Sequence, residues 1–110
     1  MADSIHLKIL DEGRDKWNSW RKNDPELVPD LSGADLTGRN LSDINLHNAN
    51  LTDANLCGVN AERAEFYYAK MQQADLSEAY LADSKFSEAD LTEAVFLMLI
   101  SMLLILNVLS

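Results

Sequence analysis

The residues able to do chemistry in this chain of 110 are few and scattered. His6 and His47 are its histidines and Cys57 its single cysteine. Nucleophilic catalysis needs a base beside the nucleophile and a third group to orient that base. The two histidines lie far apart in sequence, and Cys57 has no neighbouring cation to favour a thiolate. Metal sites draw on Cys, His and carboxylates at short, regular intervals, and no such spacing occurs. Gly33, Gly38 and Gly58 are too evenly dispersed for a phosphate-cradling loop and read as turn residues. The recurring acidic residues read as a solvated face, and Tyr67 and Tyr68 as a contact point at a turn. The sequence therefore predicts no catalytic, no cofactor-binding and no metal-binding residue, and a protein that is not an enzyme.

What must position these side chains is a five-residue beat. Leu31, Leu36, Leu41, Leu46, Leu51, Leu56, Ala61, Phe66, Met71, Leu76, Leu81, Phe86, Leu91 and Phe96 keep it over fourteen consecutive units. Two residues before the beat stands mostly alanine, as at Ala34, Ala49, Ala54, Ala64, Ala69 and Ala74, with Asp or Asn between. Ser or Thr and then a small or acidic residue follow. On a helix, five residues rotate a side chain by about 140° net, which scatters the leucines. On a flat strand an odd spacing sends them to alternate faces. A short extended segment with Ala and Leu on one face, then a two-residue turn, satisfies both observations. Repeated, it winds into a solenoid with every Ala and Leu inward.

The units Ala34-Asp-Leu-Thr-Gly, Ala49-Asn-Leu-Thr-Asp, Ala74-Asp-Leu-Ser-Glu and Ala89-Asp-Leu-Thr-Glu resemble pentapeptide repeats, A(D/N)LXX. The resemblance implies a mainly β fold: a right-handed, four-sided β-helix with four units per coil, here about 3.5 coils. Stacking residues twenty apart then places Phe66 over Phe86, and Leu36, Leu56 and Leu76 under Phe96. It also sets Glu65 beside Lys85, Lys70 beside Asp90, and Arg63 between Asp43 and Asp83, all pairs of opposite charge. Ala61 is small for its inward place, with Val59 filling part of the gap. Arg39 falls on an inward slot and is expected to snorkel out.

The expected domain organisation is a helical cap and linker over 1–28, repeats over 29–98 and an apolar tail over 99–110. Residues 4–23 predict one helix, with Leu10, Gly13, Trp17 and Trp20 on one face and Asp24-Pro25 as its stop. The two tryptophans are expected to cover the first coil, a ligand site being the alternative. Trp17-Asn-Ser-Trp-Arg21 followed by Pro29-Asp-Leu-Ser-Gly is similar to the start of many bacterial pentapeptide-repeat proteins. From Ala94 onward seventeen residues carry no charge. Residues 94–110 have three readings: a short membrane anchor, an end plug or homodimer interface, and the tail of a truncated or frame-shifted gene.

Eighteen acidic residues against nine basic ones give a net charge of −9. That balance disfavours direct nucleic-acid binding, for lack of phosphate-neutralising charge. One cysteine suits a reducing compartment, and no secretory signal is visible, so a cytoplasmic location is expected. The functional expectation is a rigid, non-enzymatic protein-interaction scaffold with a protein partner and no cofactor. Two alternatives accompany it: the same module tethered to a membrane by its tail, with the repeats in the cytoplasm, and an acidic DNA mimic that binds DNA gyrase. The second is an activity of some family members that confer quinolone resistance, and 3.5 coils are few for it.

Overall fold

The computed structural model describes residues 1–97. Its organising contact is a parallel bridge between residues twenty apart: Asp30 with Asn50, Asn50 with Lys70, Lys70 with Asp90, and likewise around three further sides. Each side contributes a single bridge residue, the one between the Ala and Leu slots. Long strands do not form because two residues of every five are spent on a turn. The expected mainly β fold thus takes the form of isolated bridges stacked in register.

A repeat with Asp or Asn at its bridge position uses all of its backbone donors, and Leu31–Ala34 with Asp30 illustrates how. The Leu31 amide donates to Asn50 O one layer on, at 2.8 Å, and the Gly33 amide to Thr52 O at 2.8 Å. The Ala34 amide closes the turn on Leu31 O at 3.1 Å. The bridge residue donates the other way, Asn50 N to Pro29 O and Asn55 N to Ala34 O. One donor is left, that of the Ser/Thr slot, and the bridge residue's own side chain accepts it: Ser32 N to Asp30 Oδ1 at 3.0 Å, Thr37 N to Asp35 Oδ1 at 3.1 Å, Thr52 N to Asn50 Oδ1 at 3.1 Å. Asp or Asn is preferred there because its short side chain reaches the amide two residues on. Buried amides without partners are expensive, so this closed accounting stabilises a fold with little secondary structure of the ordinary kind.

The third turn residue sits at φ near +60°, the mark of a type II turn. Gly33 and Gly38 adopt it at no steric penalty, whereas Asp43, Arg63, Tyr68 and Glu88 adopt it at about 1–2 kcal/mol each. Asp43, Arg63 and Tyr68 each gain an amide bond to the next layer, such as Arg63 N to Ala82 O at 2.9 Å.

Inside, the beat residues from Leu31 to Leu76 are buried, together with the alanines from Ala34 to Ala74. Ala61 and Val59 are both fully buried, a small and a larger inward residue sharing one corner. Phe66 and Phe86 stack face to face with centroids 4.8 Å apart. From Ala79 burial declines: Leu81, Phe86 and Leu91 are half-buried, and Phe96 is 49% exposed.

The N-terminal segment corrects the expectation of one helix. It forms α1, Ser4–Asp11, and α2, Arg14–Asn23. Gly13 stands between them at φ 105°, a conformation that ends one helix and starts the next, so it is a joint and not part of a helical face. Asp3 caps α1 through its side chain, which accepts the Ile5 and His6 amides. The tail expectations over 99–110, with the anchor, plug and truncation readings of 94–110, lie outside the described residues beyond residue 97.

Candidate functional site

The first layer of repeats has no earlier layer to bond, and side chains of α1 and α2 occupy the vacant positions. Trp17 is fully buried and its indole N–H donates to Asn45 O at 2.7 Å. Asn18 takes both sides of the same edge: its Oδ1 accepts the Asn45 amide at 2.9 Å and its Nδ2 donates to Asp43 O at 3.0 Å. Arg14 donates to Ser42 O and Ser42 Oγ at 3.2 and 3.1 Å. On the neighbouring side Asp3 N donates to Asp30 O at 2.9 Å, and the Asp30 amide donates to His6 Nδ1 at 3.0 Å. Trp17 is thus committed to packing and backbone bonding, which leaves its ring no face for a ligand. Trp20 is half-buried, 5.0 Å from the Trp17 ring and 5.0 Å from the His6 ring.

Arg21 is the residue that sequence reasoning missed. It is 2% exposed, with Nη1 donating to Leu27 O at 2.8 Å and Nη2 to His47 O. Burial lowers its pKa, opposed by the charge of Asp24, and its Nε has no partner among the described residues. The guanidinium ties α2, the linker and the first layer together. Only its place one residue after Trp20 hinted at a structural role.

The candidate chemical residues do not converge. His6 is held at the base of the solenoid, while His47 sits over a corner with its ring edge-on to Tyr67 at 4.9 Å and Nε2 3.4 Å from Glu65 Oε1. Tyr67 is therefore engaged, and Tyr68 beside it is 62% exposed. Cys57 is a free, half-buried thiol on another side. No group of three His, Cys, Asp or Glu side chains able to hold a metal ion occurs among the described residues. The glycines at 33, 38 and 58 occupy turn corners at positive φ.

The charge columns partly rearrange the expected pairs. Arg63 commits to Asp43, with Nε and Nη2 on its two carboxylate oxygens at 2.8 and 3.0 Å. This pairing lowers the Asp43 pKa and raises that of Arg63, to which Asp83 adds a weaker attraction. Glu65 and Lys85 are bridge neighbours, as are Lys70 and Asp90, yet neither pair closes an ion pair within 4.0 Å among the described residues. Glu65 leans toward His47, and Asp90 takes Gln72 Nε2 at 2.9 Å and the Thr92 hydroxyl instead. A donor held in place nearby, such as the Thr92 hydroxyl two residues from Asp90, outcompetes a long flexible lysine. Arg39 leaves its inward slot and reaches Asp11 Oδ1 at 2.6 Å.

What remains is an outer surface of regularly spaced side chains. Tyr80, on the side that carries Asn40 and Asn60, is 69% exposed, and Tyr68 marks a corner. Among the described residues no helix is long and apolar enough to cross a membrane.

The family model for pentapeptide repeats matches in eight copies, over residues 30–66, 40–77 and 62–96. Among solved structures, the chain is similar to a pentapeptide repeat protein from the Arabidopsis thaliana thylakoid lumen, a crystal structure at 1.7 Å. The two share 38% identity with a TM-score of 0.58, over 59% of this chain and 45% of that one. The chain thus spans less than half the length of that structure. No curated protein matches the sequence.

Proposed function

The chain belongs to the pentapeptide-repeat family, and on that premise we propose that it is a non-enzymatic scaffold whose flat outer sides bind a protein partner. In this reading the fourteen units wind about 3.5 right-handed coils, and α1 and α2 cap the first. The cap is supported by Trp17, Asn18 and Arg14 on the edge of that coil. The observation that carries the reading is the closed backbone accounting. With amides bonded between layers and the inward slots filled from Leu31 to Leu76, only outward side chains are left to recognise anything. They stand on a rigid frame at about 4.8 Å per layer, which lowers the ordering penalty of binding. A cytoplasmic setting is part of the proposal, supported by a lone free cysteine.

Photo-cross-linking in cells tests it. A benzophenone side chain is placed at position 80, at 68 or at 32, on different sides of the full-length chain. The expected result is one protein adduct from one side, lost when Tyr80→Asp or Tyr68→Asp is introduced without change in melting temperature. Uniform labelling from all positions overturns the scaffold reading. Inhibition of gyrase supercoiling by the same preparation would replace it with the DNA mimic, and recovery of the chain only in detergent with the membrane tether.

A further inference from the structure

His6 does two jobs that depend on one proton. Its Nδ1 accepts the Asp30 amide at 3.0 Å, so in this arrangement the ring is neutral and carries its hydrogen on Nε2. Asp30 opens the bridge ladder, and its carbonyl is held from α1 as well, by the Asp3 amide. The ring also packs on Trp20 at 5.0 Å, tilted by 51°, and Trp20 in turn meets the buried Trp17 edge-on. His6 therefore joins α1, α2 and the first layer.

Two carboxylates lie near the ring. Asp3, at the start of α1, places Oδ2 3.7 Å from Nε2. On the repeat side the Asp30 carboxylate interacts with His6, and the amino terminus at Met1 is a further charge near Asp30. Facing from α2 is Trp20, whose ring carries no charge of its own. A second proton on the ring must go to Nδ1, the atom that receives the Asp30 amide. Two N–H groups would then point at each other, and the bond is replaced by repulsion.

We propose that His6 is a proton-operated latch: neutral, it seats α1 on the first layer of repeats, and protonated, it releases α1. The latch acts on α1 alone. The bonds of Trp17, Asn18 and Arg21 to the same layer contain no group that titrates in the imidazole range.

NMR on the full-length chain between pH 8 and pH 5 tests this. The His6 Cε1 proton shift reports protonation, and the Asp30 amide reports the bond. Expected is a loss of Asp30 exchange protection by at least about tenfold, corrected for intrinsic rates, that follows the His6 titration curve and is accompanied by a change in Trp20 fluorescence. Asn50 and Asn55 amides, bonded within the repeats, keep their protection. In His6→Gln the amide oxygen can still accept from Asp30 but does not titrate, and the response disappears; in His47→Gln it persists. Undiminished Asp30 protection after His6 is fully protonated overturns the latch. So does a response that survives in His6→Gln, or one that vanishes in His47→Gln. The wild-type titration alone decides the matter if a variant does not fold.

Discussion

Repeats up to Leu76 and those from Ala79 onward share one beat and one ladder, yet differ in two ways. The earlier inward residues are fully buried, and the later ones are half-buried or exposed. The bridge residue changes at an earlier boundary: it is Asp or Asn at every position from 30 to 60, whereas Glu65, Lys70, Tyr80, Lys85 and Val95 interrupt the pattern afterwards. In a solenoid a layer is stabilised by the layers on both sides of it, so burial tracks the number of neighbours. The side-chain difference is independent of that. Where Asp or Asn is missing, the Ser/Thr-slot amide loses its nearest acceptor, and a repeat can keep the beat while closing fewer of its donors.

The stacked phenylalanines probe this contrast most strongly. Phe66→Ala should cost about 3–5 kcal/mol in urea unfolding, and Phe86→Ala on its half-buried neighbour about 1–3. Equal losses would erase the distinction between the two regions. Trp17→Phe keeps most of the ring volume but abandons the bond to Asn45 O; a loss of about 1–3 kcal/mol is expected. A smaller value would mean that Trp17 holds α2 by packing and not by its bond to Asn45 O. Two substitutions in a single column should have opposite signs. Asn50→Ala removes the acceptor of Thr52 N and should destabilise by about 1 kcal/mol, while Lys70→Asn one layer away should stabilise by about 0.5–1. Thermal melts of both variants sharpen the comparison, since the column accepts its turn amides at Asp30, Asn50 and Asp90 but lacks that acceptor at Lys70.

Acid sensitivity, by contrast, should not distinguish the regions. Asp30 and Asp35, where every bridge residue is Asp or Asn, and Asp75 and Asp90, beyond the first interruption of that pattern, have lowered pKa values. In each the first cause is the hydroxyl two residues on, donating to the carboxylate: Ser32, Thr37, Ser77 and Thr92. A carboxylate with a lowered folded-state pKa stabilises the protein above its unfolded value, about 3.9, and that contribution is lost as pH falls through the folded value. The Asp→Asn changes keep the turn acceptor without titrating. Asp30→Asn with Asp35→Asn, and Asp75→Asn with Asp90→Asn, should therefore each flatten the loss of stability below about pH 4 to a similar extent. Circular dichroism against pH at fixed temperature reads the outcome, and a response confined to one pair would reveal a regional difference.

Most of the winding was legible because the beat is a packing constraint: an inward residue every fifth place admits few backbone paths. The Phe66–Phe86 stack and the bridges at twenty residues follow once the resemblance to pentapeptide repeats sets four units to a coil. The role of Asp and Asn was not read, although Asp-Leu-Ser and Asp-Leu-Thr, with an acceptor two residues before a donor, carry the signal of an Asx turn. Gly13 was misread because its spacing matched a helical face, while its conformation depends on how α1 must turn to reach the repeats. Partner choice among charges was hidden as well. Columns place Lys70 and Asp90 together, but which donor reaches the carboxylate depends on short local geometry such as that of the Thr92 hydroxyl. Arg21 left no periodic trace, since its two carbonyl partners come from the linker after α2 and from a distant turn.

The donor accounting has a consequence for how such a protein can change. Four of the five amides in a unit hold the backbone together, whereas the one after each beat residue binds only a side chain. That slot is the second position of a type II turn, where proline is at home. Thr37 and Thr92 thus mark the points at which the chain can be stiffened by an imino acid without severing a rung. Proline at any other place in the unit removes a rung or the turn bond. The solenoid carries, once per side, a site free to vary in a framework that elsewhere tolerates little.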